Sequence, residues 1–191
     1  MKKLLLFLVT ALISNLSISQ NYEDLLKSDN PFNNKGENYY NFLNTLTSKM
    51  KNKEINQDNL SDFIAENEFN FVMELNEDEL NIYKNYFGNK DFNLKNLILL
   101  ENFVVAEKLS FDKSKLLESI AYIKWFTLFS NDVSAKAASG ISGFETCLDN
   151  CMKKKLGAVF NTGNWVDQTA FILGTPESTA WMVGSCTWDC L

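Results

Sequence analysis

The sequence contains no histidine and no arginine. Ser–His and Cys–His nucleophile pairs are therefore excluded, because each needs an imidazole as its base. Histidine-ligated metal sites and guanidinium clamps on phosphate or carboxylate groups are excluded as well. Lysine and asparagine are abundant, so the same absence fits the codon bias of an AT-rich genome. Any catalysis must use carboxylates, lysine, tyrosine or Ser/Thr hydroxyl groups.

Positive charge is also scarce. The chain has 18 lysines against 24 acidic residues, a net charge of −6, and removal of Lys2 and Lys3 with a leader would leave 16 against 24, or −8. A surface of that sign repels phosphate backbones, so nucleic acid is not an expected partner. Lys153, Lys154 and Lys155 form the one basic cluster, which is too small to anchor the protein to a membrane.

The first 19 residues predict a cleavable signal peptide of bacterial type. Lys2 and Lys3 form a basic start, residues 4–13 are a run of ten apolar residues, and a small-x-small site precedes Gln20. The run is shorter than the roughly 20 residues of a membrane-spanning helix, and an uncleaved anchor is the alternative. No cysteine lies near the cleavage region, so a lipoprotein is excluded. We predict a secreted or periplasmic protein without a transmembrane segment after cleavage.

Residues 20–130 predict a small helical bundle. They hold one proline and only two of the eight glycines, and their apolar residues recur at three- and four-residue steps. The pattern predicts four or five amphipathic helices of about 10–17 residues. Asn76 with Glu79 predicts a capping box, Gly88 a helix end and Asn93 a second cap.

Two groups of side chains in the bundle allow a functional interpretation beside a structural one. One helix carries the aromatic residues Tyr122, Trp125, Phe126 and Phe129, which we expect in the core and not in a ligand groove. Six carboxylates are expected on helix starts and polar faces, where they interact favourably with helix dipoles and form no general acid–base pair. They are Asp58, Asp62, Glu66, Glu77, Asp78 and Glu79. We therefore assign no catalytic residue, cofactor or metal ligand.

The composition changes beyond residue 130. Residues 131–142 are small and weakly patterned, which predicts a linker or a lead into the next helix. Six of the eight glycines, three of the four tryptophans and all four cysteines lie at or beyond Gly140. Residues 143–191 are therefore predicted to form a separate cysteine-stapled helical module.

The module contains two CxxxC pairs, Cys147 with Cys151 and Cys186 with Cys190. Residues four apart share a helix face, so two such helices packed antiparallel would bring Cys147 to Cys190 and Cys151 to Cys186. We prefer this nested pairing; the parallel pairing and pairing within each helix are the other two connectivities. The overall prediction is an all-α protein, a small bundle followed by a disulfide-stapled helical hairpin.

Disulfide geometry requires the two helices of the hairpin to approach closely. We expect small side chains to make that approach possible, those of Thr179, Ala180, Val183 and Gly184. A zinc site or a redox pair is a poorer match to x₃ spacing in an oxidising compartment. The arrangement resembles the twin-CxxxC helical hairpins of several unrelated small proteins over about 45 residues, which implies a fold and no function.

Trp165, Trp181 and Trp188 form a possible binding strip on this module. Trp181 and Trp188 are seven residues apart and share a helix face. We expect these residues to pack on the N-terminal bundle or to form the core of the module, and an exposed strip is the alternative. A rigid hairpin loses little entropy on binding, so an exposed strip would suit a protein or glycan partner.

Three functions are open at this point. The preferred one is a non-enzymatic secreted or periplasmic binding protein. The second is a precursor, in which residues 22–135 are a pro-region and the stapled tail is released as a toxin or bacteriocin-like peptide. The third is a small carboxylate-dependent hydrolase, which needs two acids about 5–9.5 Å apart in a cleft.

Overall fold

The computed structural model describes Tyr22 and residues 25–69, 73–88, 90–140, 142–160 and 176–191. Within these ranges the protein is all-α, with seven helices and no strand. The helices are α1 (Asn33–Lys51), α2 (Leu60–Glu66), α3 (Glu77–Phe87), α4 (Leu94–Ala106), α5 (Ser114–Ala138), α6 (Gly143–Phe160) and α7 (Pro176–Asp189). The predicted fold class, a bundle followed by a stapled hairpin, is confirmed. The predicted signal peptide lies outside the described residues.

Local sequence determines where two of the helices begin. The Asn76 side chain accepts the backbone N–H of Glu79 at 3.0 Å, and the Glu79 carboxylate accepts the backbone N–H of Asn76 at 2.7 Å. This is the predicted capping box, and it begins α3. Asn93 begins α4 in the same way, because its side chain accepts a backbone N–H three residues further on at 2.9 Å. Both predicted caps are confirmed.

Helix α5 is longer than the sequence pattern indicated. It has 25 residues, and its last two turns are residues 131–138, the segment predicted as a linker or helix lead-in. Tertiary contacts hold these turns in place, since Val133 is buried and Ser134 donates to Asp149 of α6 at 2.5 Å. The helix ends before Gly140, whose φ of 66° is the left-handed conformation that favours glycine.

Helix α5 is the centre of the molecule, with α1, α4 and α6 packed around it. Its four aromatic residues are each less than 10% exposed, which confirms their predicted core position. Gly36 allows α1 to approach closely. A Cβ atom at this position would lie 2.3 Å from Trp125 Cδ1 and 2.6 Å from the carbonyl oxygen of Ala121, so only glycine fits.

Helix α7 packs against the bundle as well as against α6. The Tyr39 hydroxyl of α1 donates to the carbonyl oxygen of Pro176 at 2.7 Å and is hydrogen-bonded to Thr179. Gly184 lies against the side chain of Leu60 in α2. The expectation that Gly184 faces the other hairpin helix is therefore wrong, and Thr179 is bonded to α1. Packing these residues against α1 and α2 buries apolar surface that a hairpin alone would leave in water.

Two buried tyrosines make the fold sensitive to alkaline pH. Tyr39 and Tyr83 are each 1% exposed, and the Tyr83 hydroxyl is hydrogen-bonded to Ser119 at 2.9 Å. Burial raises the pKa of both phenols well above its usual value. In the unfolded chain a tyrosine has a pKa of about 10. Above that pH the unfolded chain loses these protons while the folded protein keeps them, so the free energy of unfolding falls as the pH rises. We expect each tyrosine to lower the free energy of unfolding by about 1.4 kcal/mol between about pH 9 and pH 11.

Urea unfolding of the wild type and of Tyr83→Phe at the two pH values measures this effect. At the lower pH the variant should be less stable by about 1 kcal/mol, because Ser119 loses its partner. Its further loss on raising the pH should be smaller than that of the wild type by about 1.4 kcal/mol. Other titrating groups contribute equally to both proteins. Parallel pH profiles would show that Tyr83 is not responsible.

Candidate functional site

Two disulfides join α6 and α7. Cys147–Cys190 has a Cα–Cα distance of 5.7 Å and Cys151–Cys186 one of 5.6 Å. These are the two bonds of the nested pairing, and they hold α6 and α7 antiparallel. Disulfides persist in oxidising compartments, so the two bonds fit an extracellular protein.

An exposed face of α7 carries two tryptophans. Trp181 is 38% exposed and Trp188 is 42% exposed, so the expectation that they pack in the core is wrong for both. Because their positions differ by seven, they are separated by about 10 Å along the helix axis. Ser185 lies between them and accepts a hydrogen bond from Lys155 of α6 at 2.7 Å. We call Trp181, Ser185 and Trp188 the tryptophan face. Trp165, the third predicted member of the strip, lies outside the described residues.

The hairpin that carries this face is also held by α1. The Lys51 ammonium group lies 3.2 Å from the Glu145 carboxylate and 4.3 Å from the centroid of the Phe144 ring, at the start of α6. Tyr39, further back on α1, bonds the first turn of α7. Both hairpin helices are therefore connected to the bundle. A platform held in this way loses little conformational freedom when a partner binds.

A buried ion pair connects α4 and α5. The Lys124 ammonium lies 2.6 and 2.8 Å from the two carboxylate oxygens of Glu101, and the side chains are 0% and 1% exposed. The Asn33 oxygen accepts from Lys124 at 2.9 Å and from the Trp125 indole at 3.0 Å, while Asn30 donates to Glu101 at 2.7 Å. Burial lowers the pKa of Lys124, and the charge of Glu101 acts in the opposite direction. No pattern in the sequence predicted this network. It is closed to solvent, and it positions α4 and α5 relative to each other.

The six carboxylates noted in the sequence occupy helix starts and exposed faces. Three lie in or next to α2 and three form the first turn of α3. Five are exposed, and the sixth, Glu79, is used by the capping box. Within the described ranges, no three Cys, Asp or Glu side chains are arranged to hold a metal ion.

A cleft of about 460 Å³ lies beside α1. We call it the polar cleft. Its lining includes polar residues from α1, from the turn after α2 and from α5, namely Lys35, Asn38, Asn41, Asn67, Glu68 and Glu118. The cleft brings together two carboxylates, Glu68 and Glu118, that sequence analysis did not single out. The sequence does contain a sign of this cleft. Lys35, Asn38 and Asn41 are polar residues three positions apart, so they share one face of α1, and all three are exposed.

Comparisons with known protein families, with characterised proteins and with solved structures find no significant match for this chain. In the part of the chain that the structure describes, no helix combines the length and the apolar character needed to cross a bilayer. Function must therefore be inferred from the tryptophan face and the polar cleft.

Proposed function

We propose that this protein is exported and acts as a non-enzymatic binding protein, with the tryptophan face as its contact surface for a protein partner. The observation that carries the proposal is the exposure of Trp181 and Trp188 on a helix held by two disulfides. Tryptophan is enriched among the few residues that dominate the free energy of protein interfaces. The basic and apolar start of the sequence, together with the disulfides, supports export.

The polar groups around the two indoles define the partner further. Lys155 places an ammonium group beside Ser185, between the two tryptophans. Anchors of this kind bind best in apolar pockets that exclude water, with polar contacts at the rim. We infer a partner with two apolar pockets about 10 Å apart, the rise of seven helical residues, and an acidic group near Lys155.

The variant Trp181→Ser/Trp188→Ser tests this proposal. We expect it to keep its helical content and both disulfides and to lose the partner, since each anchor tryptophan contributes about 2 kcal/mol or more to binding. The matched control is Leu99→Ser/Phe103→Ser, which removes side chains on α4 that are 47% and 46% exposed. Quantitative capture from the cell-envelope and secreted fractions of the source cells, with all three proteins as bait, measures the difference.

The control separates specific from non-specific binding. A partner retained by the α4 variant and lost by the tryptophan variant supports the proposal. A partner lost equally from both variants reports general apolar adhesion, and one retained by both lies elsewhere on the surface. Either result contradicts a role for the tryptophan face.

The precursor alternative has less support. Helix α7 shares one hydrophobic cluster with α1, in which Val183 and Cys186 pack with Leu43 and Leu46. Release of the tail would expose this cluster to water at a cost of roughly 25 cal/mol per Å² of apolar surface. Intact-mass analysis of exported material distinguishes the two functions, because a single species that begins near Gln20 contradicts the precursor.

The hydrolase alternative also has less support than binding. The polar cleft contains two carboxylates, but one oxygen of Glu118 already accepts from Lys35 at 2.6 Å. Glu68 is an exposed residue in the turn after α2. An acid and a base that flank a glycosidic bond need to be free to exchange protons with it. The arrangement suits binding better than cleavage.

A further inference from the structure

The polar cleft contains hydrogen-bonding groups without partners among the described residues. Asn38 and Asn41 lie one turn apart on α1, and their side-chain amides make no hydrogen bond within this part of the chain. The Asn67 amide nitrogen donates to the carbonyl oxygen of Phe63 at 2.8 Å, so its own oxygen is still able to accept. These amides can bond a ligand without breaking an existing contact.

Aromatic rings line the same cleft. Phe42, Phe69 and Tyr122 are each less than 10% exposed, so the surrounding core holds them in place. The ring centroids of Phe42 and Phe69 are 4.7 Å apart, and those of Phe69 and Tyr122 are 6.4 Å apart. The negative face of an aromatic ring attracts C–H groups that carry partial positive charge. Only small parts of these rings are exposed, so a ligand can contact them with a few C–H groups and must bind mainly through polar groups.

The charge of the cleft excludes anions. Lys35 and Glu118 form an ion pair at 2.6 Å. The carboxylate of Glu68 has no cationic partner among the residues that the structure describes. An anionic ligand would be repelled by this uncompensated charge, and the chain has no arginine to bind one. A carboxylate and several amides are suited to hydroxyl groups, which both donate and accept hydrogen bonds.

We propose that the polar cleft binds a neutral pyranose unit of a glycan. The hydroxyl groups of the sugar bond to Asn38, Asn41 and Glu68, and C–H groups of its ring contact the small exposed parts of the aromatic residues. The cleft volume of about 460 Å³ lies within the range of small-ligand sites. This site is separate from the tryptophan face and does not depend on the function proposed for it.

Titration calorimetry of the full exported chain with cellotriose, maltotriose and tri-N-acetylchitotriose tests the site. We expect at least one trisaccharide to bind at millimolar concentration or below, with one molecule per chain. Asn41→Ala and Glu68→Gln should each weaken that binding by about tenfold, because one hydrogen bond is worth up to about 1.5 kcal/mol. The matched controls Asn34→Ala and Glu66→Gln alter exposed residues outside the cleft and should bind as the wild type does.

Trp181→Ser/Trp188→Ser should also bind the sugar normally, which keeps this test distinct from that of the tryptophan face. The proposal is overturned if none of the three trisaccharides binds, or if the two cleft variants bind as tightly as the controls. Tighter binding of spermidine than of any trisaccharide would overturn it too, because the unpaired carboxylate would then serve a cation.

Discussion

Replacing all four cysteines with alanine should lower the free energy of unfolding by about 6.5 kcal/mol. The sequence separations of 43 and 35 residues mean that either disulfide alone restricts the unfolded chain by about 4 kcal/mol. The second bond adds only about 2.5 kcal/mol. One disulfide lies inside the loop of the other, so once the first has formed, the second closes a loop of only about eight residues. The loss of one bond should therefore be much less serious than the loss of both.

Urea unfolding under non-reducing conditions, followed by circular dichroism, measures these differences. Cys147→Ala/Cys190→Ala is the better single-bond variant, because Cys186 is fully buried and its truncation adds a packing loss. It should lose about 2.5 kcal/mol, and removal of the remaining bond should cost about 4 kcal/mol more. The wild type measured in reductant is the control and should match the four-cysteine variant apart from the packing loss at Cys186. A total loss below about 2 kcal/mol would show that packing against α1 holds α7 without the disulfides.

Lys124→Met should cost about 3–5 kcal/mol of stability. The substitution leaves the Glu101 carboxylate buried without its cation, with only the hydrogen bonds from Ser28 at 2.7 Å and Asn30 at 2.7 Å. The double variant Lys124→Met/Glu101→Gln should be more stable than Lys124→Met, because a neutral amide still bonds to Asn30 and leaves no buried charge. Urea unfolding of the wild type, Lys124→Met, Glu101→Gln and the double variant completes a double-mutant cycle. Additive losses would contradict a coupled pair.

The pH dependence of this pair gives a second measurement. Burial lowers the pKa of Lys124, so the folded protein holds this proton less tightly than the unfolded chain does. The contribution of Lys124 to the free energy of unfolding therefore rises as the pH approaches about 10.4, the usual pKa of lysine, and is constant above that pH. Glu101→Gln removes the attraction that opposes burial, so its stability should rise more steeply with pH than that of the wild type.

Local features of the fold were predictable from the sequence. The capping box at Asn76 and the cap at Asn93 depend on groups three residues apart. The core position of Trp125 follows from apolar residues that recur with the helical period. Lys124 and Glu101 were missed although both interrupt apolar runs, because a lone charge in such a run has no partner visible nearby in the sequence. Their side chains meet across 23 residues.

The sequence alone determined the all-α class, several helix boundaries and the two CxxxC stripes, because each depends on groups within one or two helical turns. Tertiary structure decided which helices α7 faces, how far α5 extends and which residues line the polar cleft. Tyr39 bonds Thr179 over a separation of 140 residues, and Lys35 pairs with Glu118 over 83. Contacts over such distances depend on how whole helices pack together, and hydrophobic burial, which drives that packing, is non-directional.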